Sequence, residues 1–352
     1  MRLFGIQKYS PGNYGYLNAL MRARSSLFLE KNDYQMLSRG GLQDLEQFLL
    51  ESRYAESYRS TLLTGEDSIL SRVEAGVANS ICAELKHFHH VAEGEAAVLL
   101  SVILSRADIL NSRLIMRAAY TGRLGGKEPR WHDYGSLPGK LFSDLWLNSS
   151  GISDIIERCH NHGHDFSLAL SDALIDIRRG YDLFRAERAF LLSILDNFWS
   201  LLARARTPNG RMVQELLGMT IDTWNLGIWL KHKYGYELPG KEEQMYISRG
   251  QWLTSERLSG SRVLPDLVKG TPWTGIVRTI EDQKPQDFQR SISIYMWTWQ
   301  RKFFRRDPLG IAVAIGYVAK ELIEWENLNL ISVGLAVGME DKEIEQRLIP
   351  VS

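Results

Sequence analysis

The placement of proline most limits what this 352-residue chain can form. Its ten prolines leave three long intervals empty, from Pro11 to Pro129, Pro138 to Pro208 and Pro308 to Pro350. Proline removes a backbone donor and clashes with the preceding turn, so long helices belong in such intervals. The apolar residues there fall at helical spacing. Val73, Val77, Ile81 and Leu85 step by four and Phe88 follows three later, which places all five on one helical face. Ile311, Ile315, Val318 and Leu322 repeat the pattern near the C-terminus. Alternating strand patterns bounded by hairpin turns are scarce. The predicted fold class is all-α.

Charge and hydropathy exclude several functions. Forty-two basic and 42 acidic residues give a formal net charge of zero, without the basic surplus that coating a nucleic acid requires. Runs without a charged side chain reach only 13 residues, as in Asn327 to Met339, against the roughly 20 apolar residues of a membrane-spanning helix. No span is expected. Met1 to Tyr9 carries no signal-peptide apolar stretch, so no secretory leader is expected either. Two cysteines, Cys82 and Cys159, do not make a disulfide scaffold.

A faint internal repeat runs through the chain. Leu17-Asn18, Leu110-Asn111 and Trp224-Asn225 are each an apolar-Asn pair, and six residues after each Asn stands a base: Arg24, Arg117 and Lys231. Each block is followed by a glycine with a large apolar residue two positions on, at Gly40 and Leu42, Gly139 and Leu141, and Gly250 and Trp252. The expected unit is a helix, a glycine turn, short helices and a long helical hairpin, used three times. The period of about 100 residues is longer than the roughly 33–47 of common solenoid repeats, which favours a closed pseudo-threefold body over an extended array. The expected boundaries are 1–100, 101–214 and 215–352, the last including the C-terminal helices.

Candidate chemistry is thin. Cys159-His160-Asn161-His162-Gly163-His164-Asp165 holds the right ligand types for a transition metal, without a second Cys/His group at a recognised spacing. The simpler expectation is a polar inter-helix loop with His164 or Asp165 at a helix N-terminus. His87-Phe88-His89-His90 reads as a helix C-terminus, where cations suit the dipole. Gly122 to Glu128 resembles a phosphate loop only superficially. Thr121 takes the first glycine position and Glu128 the hydroxyl position, where a carboxylate repels phosphate. Trp297-Thr298-Trp299 with Arg301 has the residue types of a base-stacking platform, but tryptophan at this spacing in an apolar segment reads as core. No catalytic residue, cofactor or metal is expected.

The segment Asp307-Pro308-Leu309-Gly310-Ile311-Ala312-Val313-Ala314-Ile315-Gly316-Tyr317-Val318-Ala319-Lys320-Glu321, with Glu324-Trp325-Glu326-Asn327-Leu328 and Gly334, resembles the C-terminal signature of the C subunit family of V/A-type rotary ATPases (the d subunit of the eukaryotic enzyme). Tyr14 to Arg24 is similar to that family's first helix. Asn329 departs from it, standing where the family has a basic residue, and Lys127 to Ser136 is an extra loop. The resemblance implies a non-catalytic subunit of three helical domains forming a funnel. It implies a place on the cytoplasmic face of the membrane, peripheral to it. There the subunit would receive the central stalk, sit on the membrane rotor ring and carry torque for proton or sodium transport. On this reading Arg22, Arg24, Arg117 and Lys231 are candidate partner-facing cations. Asn18, Asn111, Asn225, Gly40, Gly139 and Gly250 are structural repeat positions. The competing expectations are a helical-bundle metalloenzyme built on Cys159 to Asp165 and a scaffold unrelated to ATPases.

Overall fold

The computed structural model describes residues 10–63, 68–234, 245–280 and 287–351, and among these there is no β-strand. The reading of Met1 to Tyr9 lies outside the described residues. The helices in chain order are α1 (Tyr14–Arg24), α2 (Lys31–Arg39), α3 (Leu42–Glu51), α4 (Ala55–Leu63), α5 (Ile69–Val91), α6 (Gly94–Leu104) and α7 (Arg106–Thr121). There follow α8 (Gly139–Leu147), α9 (Ile152–His162), α10 (Asp165–Arg178), α11 (Leu183–Ala205) and α12 (Pro208–Lys233). After the short α13 (Ser255–Gly260), α14 (Leu264–Val268) and α15 (Ile276–Ile280) come α16 (Phe288–Arg301), α17 (Ala312–Ala336) and α18 (Asp341–Arg347). The all-α expectation holds.

Local chemistry explains where these helices begin and end. Ser68, Asp182, Thr207 and Thr254 each accept a hydrogen bond from a backbone N–H of the first turn of the helix they precede, satisfying an otherwise orphaned donor. Pro208 opens α12 at its first position, where a missing N–H costs nothing. Gly122 and Gly163 close α7 and α9 in the left-handed conformation, at φ 67° and 69°.

The contacts divide the chain into two compact units. One comprises residues 105–131 and 137–296 with Ser10; the other comprises residues 11–104, 132–136 and 297–351. In the first, α10 packs on α9, α11 and α7, and α11 packs on α12. Its core includes Ile155, Phe166, Leu174, Phe190, Val213, Leu226 and Trp273, all essentially without solvent contact.

In the second unit, α17 packs against α1, α2, α3, α5 and α6. The five-residue stripe of α5 is fully buried, which by itself accounts for about 10 kcal/mol of gross transfer free energy. Helix α17 is buried on almost every side, the behaviour of a helix that is apolar all round. Gly316 makes that possible at one crossing: a Cβ there would lie 2.3 Å from the backbone nitrogen of Phe304. Trp297 is core, as expected, and Trp299 packs edge-on against Phe303 at 4.8 Å.

Candidate functional site

No described helix is long and apolar enough to cross a membrane. Buried polar side chains fix the segments around the candidate residues.

In the first unit, α12 carries Asp222 and Asn225 one turn apart, both fully buried. Asp222 accepts from the backbone N–H of Trp252 (3.0 Å) and Leu253 (3.1 Å). Asn225 holds Ile247 from both sides, its Nδ2 donating to the carbonyl at 2.9 Å and its Oδ1 accepting from the N–H at 2.8 Å. Two side chains thus tie down the strap that follows α12. Gly250 is required there, because a Cβ would lie 2.3 Å from Asp222 Oδ1. Burial pushes the Asp222 carboxyl up to about 6, with the N–H groups of Leu253, Trp252 and Gln251 pulling the other way. On α7, Asp108 and Asn111 have the same spacing and burial, and Asp108 Oδ1 accepts from the N–H of Leu137 at 2.9 Å.

The second unit contains the same device on α17. Glu324 Oε2 accepts from the N–H of Leu29 at 2.7 Å. Asn327 brackets Ile349 as Asn225 brackets Ile247, with bonds of 2.9 and 2.8 Å. Leu29, Leu137 and Leu253 each stand immediately before the N-cap of a helix, α2, α8 and α13. Asn327 and the three carboxylates are not among the positions that the repeat pattern marks. The signal for them is a carboxylate three residues before each asparagine, at 108 and 111, 222 and 225, and 324 and 327. Asn18 has Gly15 at that position. Its Nδ2 instead donates to the carbonyls of Pro308 (3.2 Å) and Gly310 (3.0 Å), tying α1 to the loop before α17. Among the expected glycines, Gly40 caps the end of α2 and Gly139 is the first residue of α8.

Around Glu324 lies a charged cluster inside the second unit. Arg53 meets Glu321 through two bonds of 2.7 and 2.8 Å and Glu324 Oε1 through bonds of 3.1 and 2.8 Å. Side-chain exposures are 8%, 0% and 2% respectively. Tyr54 donates to Glu324 and Tyr317 to Glu84. Burial raises the Glu321 carboxyl above its ordinary range, with Arg53 opposing it.

All four candidate partner-facing cations are exposed, and Arg22, Arg24 and Lys231 stand in the last turn of their helices, where positive charge complements the dipole. Arg22 stacks over Phe304 at 5.4 Å. Arg24 pairs with Glu84 at 3.7 Å. Arg117 shares the buried Glu187 with Arg113, at 2.8 and 2.6 Å. Lys231 projects from the last turn of α12 beside His232 and Lys233.

The Cys159 to Asp165 segment spans the turn between α9 and α10. Cys159 is fully buried, its thiol pushed up to about 12 by burial. His164 is the N-cap of α10, its Nδ1 accepting from the N–H of Phe166 at 3.3 Å, and burial lowers its pKa to about 4. Burial favours a neutral thiol and a neutral acceptor ring; Cys159 to His162 are the last four residues of α9 rather than loop, while His164 stands at a helix N-terminus as expected. Among the described residues, no three His, Cys, Asp or Glu side chains converge as metal ligands would. The Gly122 to Glu128 loop is pinned by Trp146, whose carbonyl accepts from Gly125 and whose indole donates to Gly126, both at 3.0 Å.

The sequence model of the family described as ATP synthase (C/AC39) subunit matches residues 17–347. Curated relatives resemble the chain over nearly its whole length. The C subunit of the V-type ATP synthase of Thermus thermophilus is 22% identical, covering 96% of this chain and 98% of the relative. The C subunit of the A-type ATP synthase of Methanococcoides burtonii is 21% identical, covering 97% and 96%. That of Methanosphaera stadtmanae is 24% identical, covering 93% and 84%.

Proposed function

Because the chain belongs to the ATP synthase (C/AC39) subunit family, a structural rather than catalytic component of a rotary ATP synthase, we propose that it is the adaptor of the central rotor. In this reading it joins the central-stalk subunits to the membrane rotor ring on the cytoplasmic face and transmits torque for ATP-coupled proton or sodium transport. The family match across residues 17–347 carries the reading. Two physical features support it. A torque-bearing part needs stiff elements with fixed ends, and α5, α11, α12 and α17 are 23 to 26 residues long. The segments after α12 and α18 are each held by paired bonds to a buried asparagine.

The three-unit organisation with boundaries at 1–100, 101–214 and 215–352 belongs to the same proposal. The recurrence of a buried carboxylate and asparagine on α7, α12 and α17 supports three copies of one device. Arg22, Arg24, Arg117 and Lys231 are proposed partner contacts on the strength of their exposure.

The test is isolation of the tagged full chain from membranes in mild detergent. Stalk and ring subunits in stoichiometric amounts are expected. Recovery of the chain free of ATPase subunits overturns the adaptor reading. Charge reversal at Lys231 with Arg117→Gln should weaken retention of stalk subunits while leaving helicity unchanged; unchanged retention removes those residues from the interface.

A further inference from the structure

The net charge of the chain is zero, but one region of the second unit is strongly positive. The end of α16 and the 3-10 turn after it, Lys302–Arg305, place Arg301, Lys302, Arg305 and Arg306 in six consecutive residues. Lys320 of α17 and Arg22 of α1 reach the same place through the Phe304 ring. The Lys320 ammonium lies 4.1 Å from its centroid and the Arg22 guanidinium 5.4 Å. Lys320 also lies 5.3 Å from the Phe28 ring, and Arg306 stacks on Phe303 at 4.8 Å. Such cation–π contacts hold the charged heads in place and reduce the entropy lost when a partner binds.

The acids nearby are already engaged. Asp307 accepts from the N–H of Leu309, and Glu84 pairs with Arg24 and accepts from Tyr317. Among the described residues, Arg22, Lys302, Arg305 and Lys320 form no ion pair. Burial, and after it the charges of Arg301 and Arg305, pushes the Lys320 ammonium below its ordinary range. Leu309, 77% exposed, stands three residues beyond Arg306.

We propose that this surface, formed by Arg22, Arg301, Lys302, Arg305, Arg306 and Lys320 with Leu309, receives an acidic, amphipathic protein segment. Its carboxylates meet the cations and an apolar side chain meets Leu309. The proposal rests on the adaptor reading only for the statement that the segment belongs to another component of the rotary complex. Three of the six cations, Arg22, Arg306 and Lys320, are held on aromatic rings, and with one exposed leucine they suit a protein segment better than a bilayer, which is bound by mobile basic side chains over several inserted apolar ones.

The experiment uses the isolated full chain and a fluorescently labelled synthetic helical peptide of glutamate and leucine, with binding read by anisotropy. Arg305→Gln/Lys320→Gln is expected to weaken binding about tenfold, ~1.4 kcal/mol, and Lys342→Gln on α18 to leave it unchanged. Removing mutually repelling charges favours the folded state, so the melting temperature of the double variant is expected to hold. Arg22→Gln/Lys302→Gln, at two exposed positions, provides a second test. Wild-type affinity in both double variants overturns the proposal. So does tighter binding to phosphatidylserine-containing vesicles than to the peptide. Because the assay contains no other subunit, its failure leaves the adaptor reading standing. Loss of the adaptor reading in the membrane isolation leaves the peptide result standing.

Discussion

Among the described residues, Arg53 is the single cation paired with the buried Glu321 and Glu324, and its replacement by methionine exposes how the second unit is held together. The four Arg53 bonds to Glu321 and Glu324 are charge-assisted, each with a typical net value of about 1.5–3 kcal/mol. Their sum overstates the effect, since burying three charges costs much of what the bonds return. The governing quantity is the charge left behind: breaking a buried pair by removing one partner costs about 3–5 kcal/mol. At about 2–4 °C per kcal/mol, the melting temperature should fall by roughly 6–20 °C.

The deficit depends on pH. Glu321 is already raised by burial and loses the guanidinium that opposes this, so it moves higher in the variant. A carboxyl whose folded pKa lies above its unfolded value contributes stability at pH below the unfolded value. That contribution is lost as pH rises through the folded value. The Arg53→Met deficit should therefore be largest near pH 8 and narrow toward pH 5. Scanning calorimetry of the full chain across that range measures it. In Arg53→Met/Glu321→Leu/Glu324→Gln the charges are gone, and the introduced glutamine keeps a carbonyl oxygen for the Leu29 N–H while its NH2 donates to the Tyr54 hydroxyl, so most of the loss should return. A melting temperature within about 2 °C of wild type, below the smallest fall expected, or a deficit independent of pH, refutes the account.

Asp222→Asn should flatten the fall in stability as pH rises from about 4 to about 6. The wild-type carboxyl, raised by burial from 3.8 to about 6, loses its contribution across that window; denaturant titrations at several pH values read the slope. Asn327→Ala removes both bonds to Ile349 and leaves its N–H and C=O unpaired, which should cost about 2–4 kcal/mol. Amide exchange at Ile349 should accelerate with it. Gly316→Ala drives a methyl against the Phe304 backbone, and about 1–3 kcal/mol of destabilisation is expected in thermal melts.

Much of the fold was legible in the chain because helices are local. The α5 stripe from Val73 to Phe88 and the helix initiated at Pro208 follow from spacing and proline chemistry acting within a few residues. The family was legible in the run from Asp307 to Gly334, since the close crossing at Gly316 and the buried helix around it tolerate few alternatives.

Pairings across large sequence separations were not legible. Asn18 meets a loop 290 residues away and Arg53 meets Glu321 268 residues away. Nothing at either position marks its partner. The basic surface is likewise split between residues 22, 301–306 and 320. By sequence alone the chain was all-α, a member of its family and without net charge. Which asparagine held which strap, which arginine stood between two acids and where the positive charge gathered were decided by tertiary packing. A buried polar group takes whichever partner the packed backbone presents, and that partner need not be near in sequence.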